Sequence, residues 1–379
     1  MALDDRAEAI VIGGGIAGAS VAAELAATHR VLLLEREHQP GYHTTGRSAA
    51  LFTETYGNAV KRALSHASRP FLKQPADGFA STPLLMPRGT LLAATESQLP
   101  KLRQVADECA ALVGNLAWLT GDEVRARVPC FSQHQIAAGL LEPDAMDIDV
   151  HALHHGYLRL LVARGGRLLN RAEVRSLQRV AGGWQVSTSA GEFRADGVVN
   201  AAGAWADEIG KLAGTRPIGL VPKRRTAITF DPPSGMATGD WPAVIDIDEQ
   251  CYFKPDAGRL MASPADETPS PPCDAQPEEY DIAVLVDRLS RATTLKVPRI
   301  VSRWAGLRSF VADKLLVVGF DPQVPGFFWL AGQGGHGIQT APAVSRLAAA
   351  LFSDLPVPPD LAELGIEAST LAPGRLASV

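Results

Sequence analysis

The chain has 379 residues, 46% of them hydrophobic, and its 36 basic and 41 acidic residues leave a net charge of −5. That length exceeds one ordinary core and suits two domains, while the charge balance offers no basic footprint for nucleic acid. Four cysteines, Cys109, Cys130, Cys251 and Cys273, lack C-x-x-C spacing, which argues against a disulfide scaffold or zinc site and fits a reducing cytosol.

The N-terminus MALDDRAEA is acidic where a signal peptide is basic. No run of about 18 apolar residues free of turn residues is present to span a bilayer. The expectation is a cytoplasmic protein, or one held peripherally at a membrane. Residues 9–37 read AIVIGGGIAGASVAAELAATHRVLLLERE. They predict a strand over 9–12, a G-x-G-x-x-G turn at Gly13, Gly15 and Gly18, a small-residue helix to residue 27, and a second strand over 31–34. Glu35 ends that strand. Glycines there permit a tight turn and close approach of backbone N–H groups to a pyrophosphate, and the helix N-terminus adds partial positive charge. Glu35 is placed to accept from ribose hydroxyls and would repel a 2′-phosphate, so NADP is disfavoured.

Farther along, GTLLAA predicts a strand and 97–113 a helix. Thr120 with Glu123 three residues on predicts a capped short helix. The helical VHALHHGYLRLLVARGG leads into strand-like RLLNRAEVRSLQRV, GWQVSTS and GVVNAAGAW. Residues 216–304 alternate as short strands (AITF, AVIDI, CYFKP, RLMAS) with Pro/Gly/Asp turns. Within them the basic run Lys223–Arg225 flanks a strand, and the Pro- and acid-rich 263–279 predicts an exposed loop. A strand, Gly-rich turn and helix, FFWLAGQGGHGIQTAPAVSRLAAALF, closes the pattern. Dinucleotide-type stretches therefore alternate with others. A mixed α/β fold is expected: a Rossmann-like domain assembled from 1–85, 141–215 and 305–379, with a β-rich substrate-binding domain inserted as 86–140 and 216–304.

The G-x-G-x-x-G run with Glu35, HTTGRSAA at 43–50, NAAGAWAD at 200–207, WAGLRSF at 304–310 and GQGGHGIQT at 332–340 together resemble the D-amino-acid oxidase superfamily of FAD enzymes. Within it, GYHTTGRSAA, KRR, KPDAG and WAGLRSFVAD are similar to the D-arginine dehydrogenases. The resemblance spans essentially the whole chain and implies FAD in the Rossmann-like domain. N–H groups of the turn Gly334, Gly335, Gly337 and Ile338, with Gln339 after it, would face the pyrimidine edge of the flavin and stabilise its reduced form. Arg36, Thr45, Gly46, Arg47 and Ser48 would attend the dinucleotide, with Arg47 as a surface cation the alternative. Val174 would meet adenine through its backbone, or be a core valine. Ala202 and Gly203 would give the cofactor close passage. With no cysteine beside either flavin-facing loop, the FAD is expected to be non-covalent; His43 is the residue that leaves this open.

For the substrate, the resemblance puts Arg308 in a bidentate fork on a carboxylate, which Lys does not reproduce. It adds a hydroxyl from Tyr252, a pocket arginine at Arg225 and a mobile-lid tyrosine at Tyr56. Structural roles compete for each: an ion pair for Arg308 or Arg225, a core aromatic for Tyr252. His336 would contact amine or flavin, or be a capped surface histidine. Leu51 and Thr90 stand where D-arginine dehydrogenases carry His and Glu, so the pocket is expected to prefer uncharged side chains. Glu54 reads as a solvated lid residue, with service to a basic substrate as the alternative. The implied reaction is oxidative deamination of a D-amino acid, with hydride passing from Cα to flavin N5. The imino acid would then hydrolyse to 2-oxo acid and ammonia. Glycine, N-methyl amino acids or 2-hydroxy acids are the alternative substrates, and a non-catalytic FAD-binding subunit a further alternative. The electron acceptor stays open among oxygen, a quinone and a protein.

Overall fold

A computed structural model describes residues 6–132 and 135–378. Residues 1–5 of the acidic N-terminus lie outside the described residues. Two-residue alternation organises the first sheet. In the strand Arg6–Ile12, Ala9 and Val11 join one buried cluster and Ile10 and Ile12 another, so both faces are covered. Val31–Leu34 pairs parallel on one side and Gly191–Asn200 on the other. Arg167–Leu169 continues the parallel array beyond the former, and Phe327–Ala331 beyond the latter. Three separate stretches of chain therefore build one parallel sheet, edged by the antiparallel Val317–Phe320.

Helix Ile16–Leu25 buries Gly18, Ala19, Ala22 and Ala23, whose small side chains allow close approach to the sheet. Leu64 and Leu72 of Ala59–Lys73, Leu153 and Tyr157 of Val150–Ala163, and Leu347 of Gly337–Phe352 complete that core. Each such leucine contributes about 1.5–3 kcal/mol by leaving water. The opposite face is closed by the antiparallel ribbon Val174–Val180, Gly183–Thr188 and Gly191–Asn200, which brings Trp184 and Val186 against Phe327 and Trp329.

A nine-stranded, mainly antiparallel sheet forms the second layer. Its spine is Val221–Phe230 against Ile300–Phe310, paired from Val221↔Phe310 to Phe230↔Ile300. Alternation sorts the basic run. Lys223 and Arg225 point to one face, where both meet Glu267; Arg224 points to the other, where it meets Asp281 and Glu278.

Several expectations change here. The boundaries expected at 140/141 and 304/305 fall inside strands, because Ala138–Glu142 pairs wholly with Thr90–Ala94 and Ile300–Phe310 wholly with Val221–Phe230. The stretch 216–304 is not only strands: Glu279–Ala292 is a helix burying Ile282, Leu285 and Leu289 at helical spacing. The helix expected over 97–113 is the 3-10 turn Glu96–Gln98, boxed by Thr95, followed by Leu99–Cys109. Gly121–Arg127 carries the expected Thr120–Glu123 capping box. The loop 263–279 is not simply exposed. Asp266 and Glu267 fold onto Arg225, and Asp274 onto Arg47. Among the described residues no helix is long and apolar enough to cross a membrane.

Candidate active site

The loops at the carboxyl ends of the parallel strands and the near face of the second sheet enclose a cleft of about 740 Å³. Its dinucleotide end is built on backbone. Gly13 has φ +105°, and a methyl group there would stand 2.5 Å from the Ala201 carbonyl oxygen. One on Gly18 would stand 1.8 Å from the Gly13 oxygen, so helix and strand touch only because both are glycine. Glu35 accepts from the Gly14 N–H at 2.7 Å and the Glu37 N–H at 2.8 Å. Those bonds fix the carboxylate and leave acceptor capacity toward the cleft. Thr45 Oγ1 accepts from the Ile16 N–H at 3.0 Å, tying the 43–48 loop to the helix N-terminus. His154, buried and held neutral by desolvation, donates from Nε2 to the Gly14 carbonyl at 2.8 Å.

Arg36, Thr45, Ser48, Val174, Ala202, Gly203, Gly334, Gly335, Gly337 and Ile338 all line the cleft, with Gly13, Gly15 and Glu35. Arg36 stacks its guanidinium 4.4 Å over the Trp205 ring. An acid at the second strand's end, a glycine cradle at the first helix and a second glycine turn at the far end could hold the adenosine ribose, pyrophosphate and flavin portions of FAD. Gly18, packed on Gly13, is outside the lining, and three further expected contacts lie outside it or turn away from it. Gly46 is outside the lining and forms a turn, donating its N–H to the Gly41 carbonyl at 2.8 Å. Arg47 lines the cleft, but its guanidinium turns to Asp274 and to the carbonyls of Ala275 and Ala305. Gln339 is outside the lining and clamps Thr53, accepting its N–H and donating to its carbonyl. Cys273 borders the outer side of the 43–47 loop without lining the cleft.

At the flavin-turn end Arg308, Arg225 and Tyr252 converge. Among the described residues no carboxylate lies within ion-pair distance of Arg308. Its Nη1 donates to the Tyr56 hydroxyl at 3.5 Å, which donates in turn to Glu249 at 3.0 Å. Arg225 is held by the Asp266 carbonyl at 2.9 Å and by Glu267 at 3.3 Å. Burial, then the neighbouring Arg308 charge, presses the Arg225 pKa down. Two buried guanidiniums that line one cleft and feel each other's charge could receive an anion.

Tyr56 and His336 stand just outside the lining as a stacked pair, ring centroids 4.7 Å apart and 10° from parallel. His336 is therefore neither a surface residue nor a cation: burial, Lys61 and Arg308 hold its pKa well below the ordinary value. Leu51 and Thr90 do not line the cleft. Thr90 is fully buried in its strand, opposite Glu142. Glu54 is not solvated. It is fully buried, ion-paired with Arg69 and within 2.7 Å of His66 Nδ1, both on the following helix, so its carboxylate is engaged inside the protein and not turned to the cleft.

Sequence reasoning missed Glu142, Glu249, Lys61, His154 and the acids of 263–279. Glu142 is the most consequential: a buried carboxylate receiving Thr53 Oγ1 at 2.6 Å, Thr55 Oγ1 at 2.7 Å and the Glu54 N–H at 2.9 Å. A lone acid in the apolar run AAGLLE was the available signal.

The family described as DAO, FAD dependent oxidoreductase, matches residues 8–351. The chain is 25% identical over 374 residues to the glycine oxidase of Geobacillus kaustophilus, covering 95% of this chain and 97% of that one. It is 26% identical over 220 residues to the L-2-hydroxyglutarate dehydrogenase of Escherichia coli K12, covering 55% of this chain and half of that one. Among solved structures, the L-proline dehydrogenase of P. horikoshii shares the fold with a TM-score of 0.85, at 22% identity and 99% coverage of both chains.

Proposed function

The chain belongs to the DAO family of FAD-dependent oxidoreductases, and we propose that it oxidises the CH–NH2 group of a D-amino acid, preferring an uncharged side chain. The imino acid so formed hydrolyses to a 2-oxo acid and ammonia. Bound FAD supplies the hydride acceptor.

The observation that carries this reading is Arg308, a guanidinium at the flavin-turn end of the cleft with no carboxylate of the described chain against it. A substrate carboxylate completes it, and Arg225 and the Tyr252 hydroxyl close around the same anion. Fixing the carboxylate fixes Cα, so positioning supplies much of the acceleration. The amine must be neutral to release hydride. His336, just outside the lining with its pKa lowered, adds no positive charge to this end, and solvent takes the ammonium proton as the pocket desolvates. The preference for uncharged side chains no longer rests on Leu51 and Thr90. The exclusion of cationic side chains rests on Arg225 and Arg308, with Lys61 nearby, which gather positive charge at this end, while the Glu267 carboxylate is already engaged by Arg225 and Lys223 and that of Asp266 by Thr226.

A second reading, glycine or an N-methyl amino acid, keeps the same anchor and is favoured by the full-length likeness to a glycine oxidase. Anaerobic titration with D-, L- and N-methyl amino acids, glycine and 2-hydroxy acids, followed by flavin absorbance, separates the readings. Bleaching by uncharged D-amino acids supports the first. Bleaching by glycine or N-methyl compounds alone replaces it with the second. Bleaching by 2-hydroxy acids alone, or by none, overturns both. Readmitting oxygen distinguishes an oxidase from a dehydrogenase.

A further inference from the structure

We propose that Glu142 is a positioning residue for the oxidation: it sets Tyr56 against Arg308 by holding the Thr53–Tyr56 segment as a fixed wall. The proposal rests on the reading of Arg308 as the carboxylate anchor.

Glu142 ends the strand Ala138–Glu142 in the second sheet, and its carboxylate is buried. Four donors from one short segment reach it: Thr53 Oγ1, the Glu54 N–H, Thr55 Oγ1 and, at 3.3 Å, the Thr55 N–H. A carboxylate offers about four acceptor positions, so this one is saturated by three consecutive residues. Its desolvation is unfavourable, and those bonds oppose it. On the other side Gln339, from the helix behind the flavin turn, takes the Thr53 N–H at 3.2 Å and gives to its carbonyl at 3.1 Å. Thr53 is thereby clamped between the two layers. Glu54, the next residue, is locked to Arg69 and His66.

The next residue after this clamp is Tyr56. Its ring lies flat on His336, whose Nε2 lies 3.3 Å from the Tyr56 carbonyl. Gly57 turns the chain away at φ +92°, and a side chain there would strike His336. The Tyr56 hydroxyl reaches Arg308 only if the backbone of 53–55 stays where Glu142 puts it. A mobile lid needs segments that release their bonds readily; this one has nearly every polar group saturated inside the protein. The Tyr56 hydroxyl is held from outside as well, by Glu249, exposed in the turn between Ala243–Asp246 and Tyr252–Asp256.

The test is a double-mutant cycle on the FAD-loaded full chain with Glu142→Gln and Tyr56→Phe. Benzoate, a plain carboxylate detected by its perturbation of flavin absorbance, is the probe. Alone, Glu142→Gln should raise the benzoate Kd about tenfold while FAD content is kept. In the Tyr56→Phe background it should raise it no more than about twofold, since the contact it positions is already gone. For the best amino-acid substrate the loss should fall on KM more than on kcat. Equal penalties in both backgrounds would show a general structural role and overturn the proposal. If Glu142→Gln fails to fold, Thr55→Val removes one of the same bonds and enters the same cycle. Arg308→Met is the separating control. Unchanged benzoate affinity in that variant removes the anchor reading and the proposal with it, whereas a weakened affinity with an additive cycle removes Glu142 alone.

Discussion

Gly335 lies against the end of Arg308: a methyl group on its Cα would stand 2.7 Å from Nη1 and 2.9 Å from Cζ. The glycine of the turn proposed to face the flavin thus makes room for the proposed carboxylate anchor, so that on this reading one turn serves both reactants. Gly335→Ala should fold, because the atom displaced is the tip of a side chain and not backbone. Function should suffer more than stability. We expect KM for a carboxylate substrate to rise at least about tenfold, with FAD retained. Steady-state kinetics on flavin-normalised protein checks this, and an unchanged KM would show that Arg308 has slack.

Arg308→Lys should not be conservative, because a lysine ammonium cannot present two parallel N–H groups. A loss of roughly 2–3 kcal/mol in transition-state stabilisation is expected in kcat/KM. Amides and esters of the best substrate should be poor with the unaltered enzyme. Normal turnover of amino-acid amides would show that the pocket does not read a carboxylate.

How much of this was legible depends on how local each interaction is. The Gly13–Gly18 turn, the strand 31–34 and the Thr120–Glu123 box are encoded within a few residues, and each lies where its pattern indicated. Ile282, Leu285 and Leu289 also carried a helical period, masked by the Pro-rich run before them. The site failed differently. Composition made 263–279 look solvated, yet Asp274 pairs with Arg47 from 227 residues away and Glu267 with Arg225 from 42. Glu54 looked like a lid acid until the fold turned Arg69 and His66 of the next helix onto it. Partners that far apart, or on the hidden face of a helix, leave no periodic trace.

FAD should leave the protein free on acid precipitation, since His43 is paired with Glu37 at 3.0 Å and Cys273 lies outside the cleft. Flavin remaining in the pellet would contradict this. Glu35→Ala should weaken FAD retention, because it removes both the proposed ribose acceptor and the bond that orients the Gly14 amide. The FAD Kd of reconstituted apoprotein reads the effect. Full loading at wild-type affinity would show that Glu35 is not the ribose acceptor.

Lys61 gives the fold a pH dependence. It is buried on the helix Ala59–Lys73 above the Phe310 ring, and burial, with Lys314 adding, lowers its pKa from 10.5 to about 8. Below pH 8 it is charged both folded and unfolded, and the fold carries the whole desolvation cost. Between about 8 and 10.5 the unfolded chain holds the proton and the native one does not, so this group makes stability rise with pH. Lys61→Met should raise stability at neutral pH, by up to roughly 3 kcal/mol at 1.36 kcal/mol per pKa unit, and remove the rise. Unfolding midpoints at about pH 7 and pH 9.5 test it; a retained rise would assign it to another group.

Thr90→Glu would be the natural way to give this chain an acidic pocket for D-arginine, and the fold predicts that it fails. Thr90 is fully buried and pairs in register with Glu142 on the neighbouring strand, so the two side chains share a face of the sheet. Glu142 already has a raised pKa from desolvation and has spent its acceptor capacity on Thr53, Glu54 and Thr55. A second carboxylate beside it adds like-charge repulsion in a dry site, where the nearby Arg69 is already paired with Glu54, which should cost at least about 3 kcal/mol. The variant should therefore show a large drop in unfolding midpoint and in FAD-loaded yield. Its ratio of kcat/KM for D-arginine over D-methionine should not rise. A stable, well-loaded Thr90→Glu enzyme with improved D-arginine turnover would mean that Thr90 faces the substrate, and that the wall held by Glu142 opens further than these contacts allow.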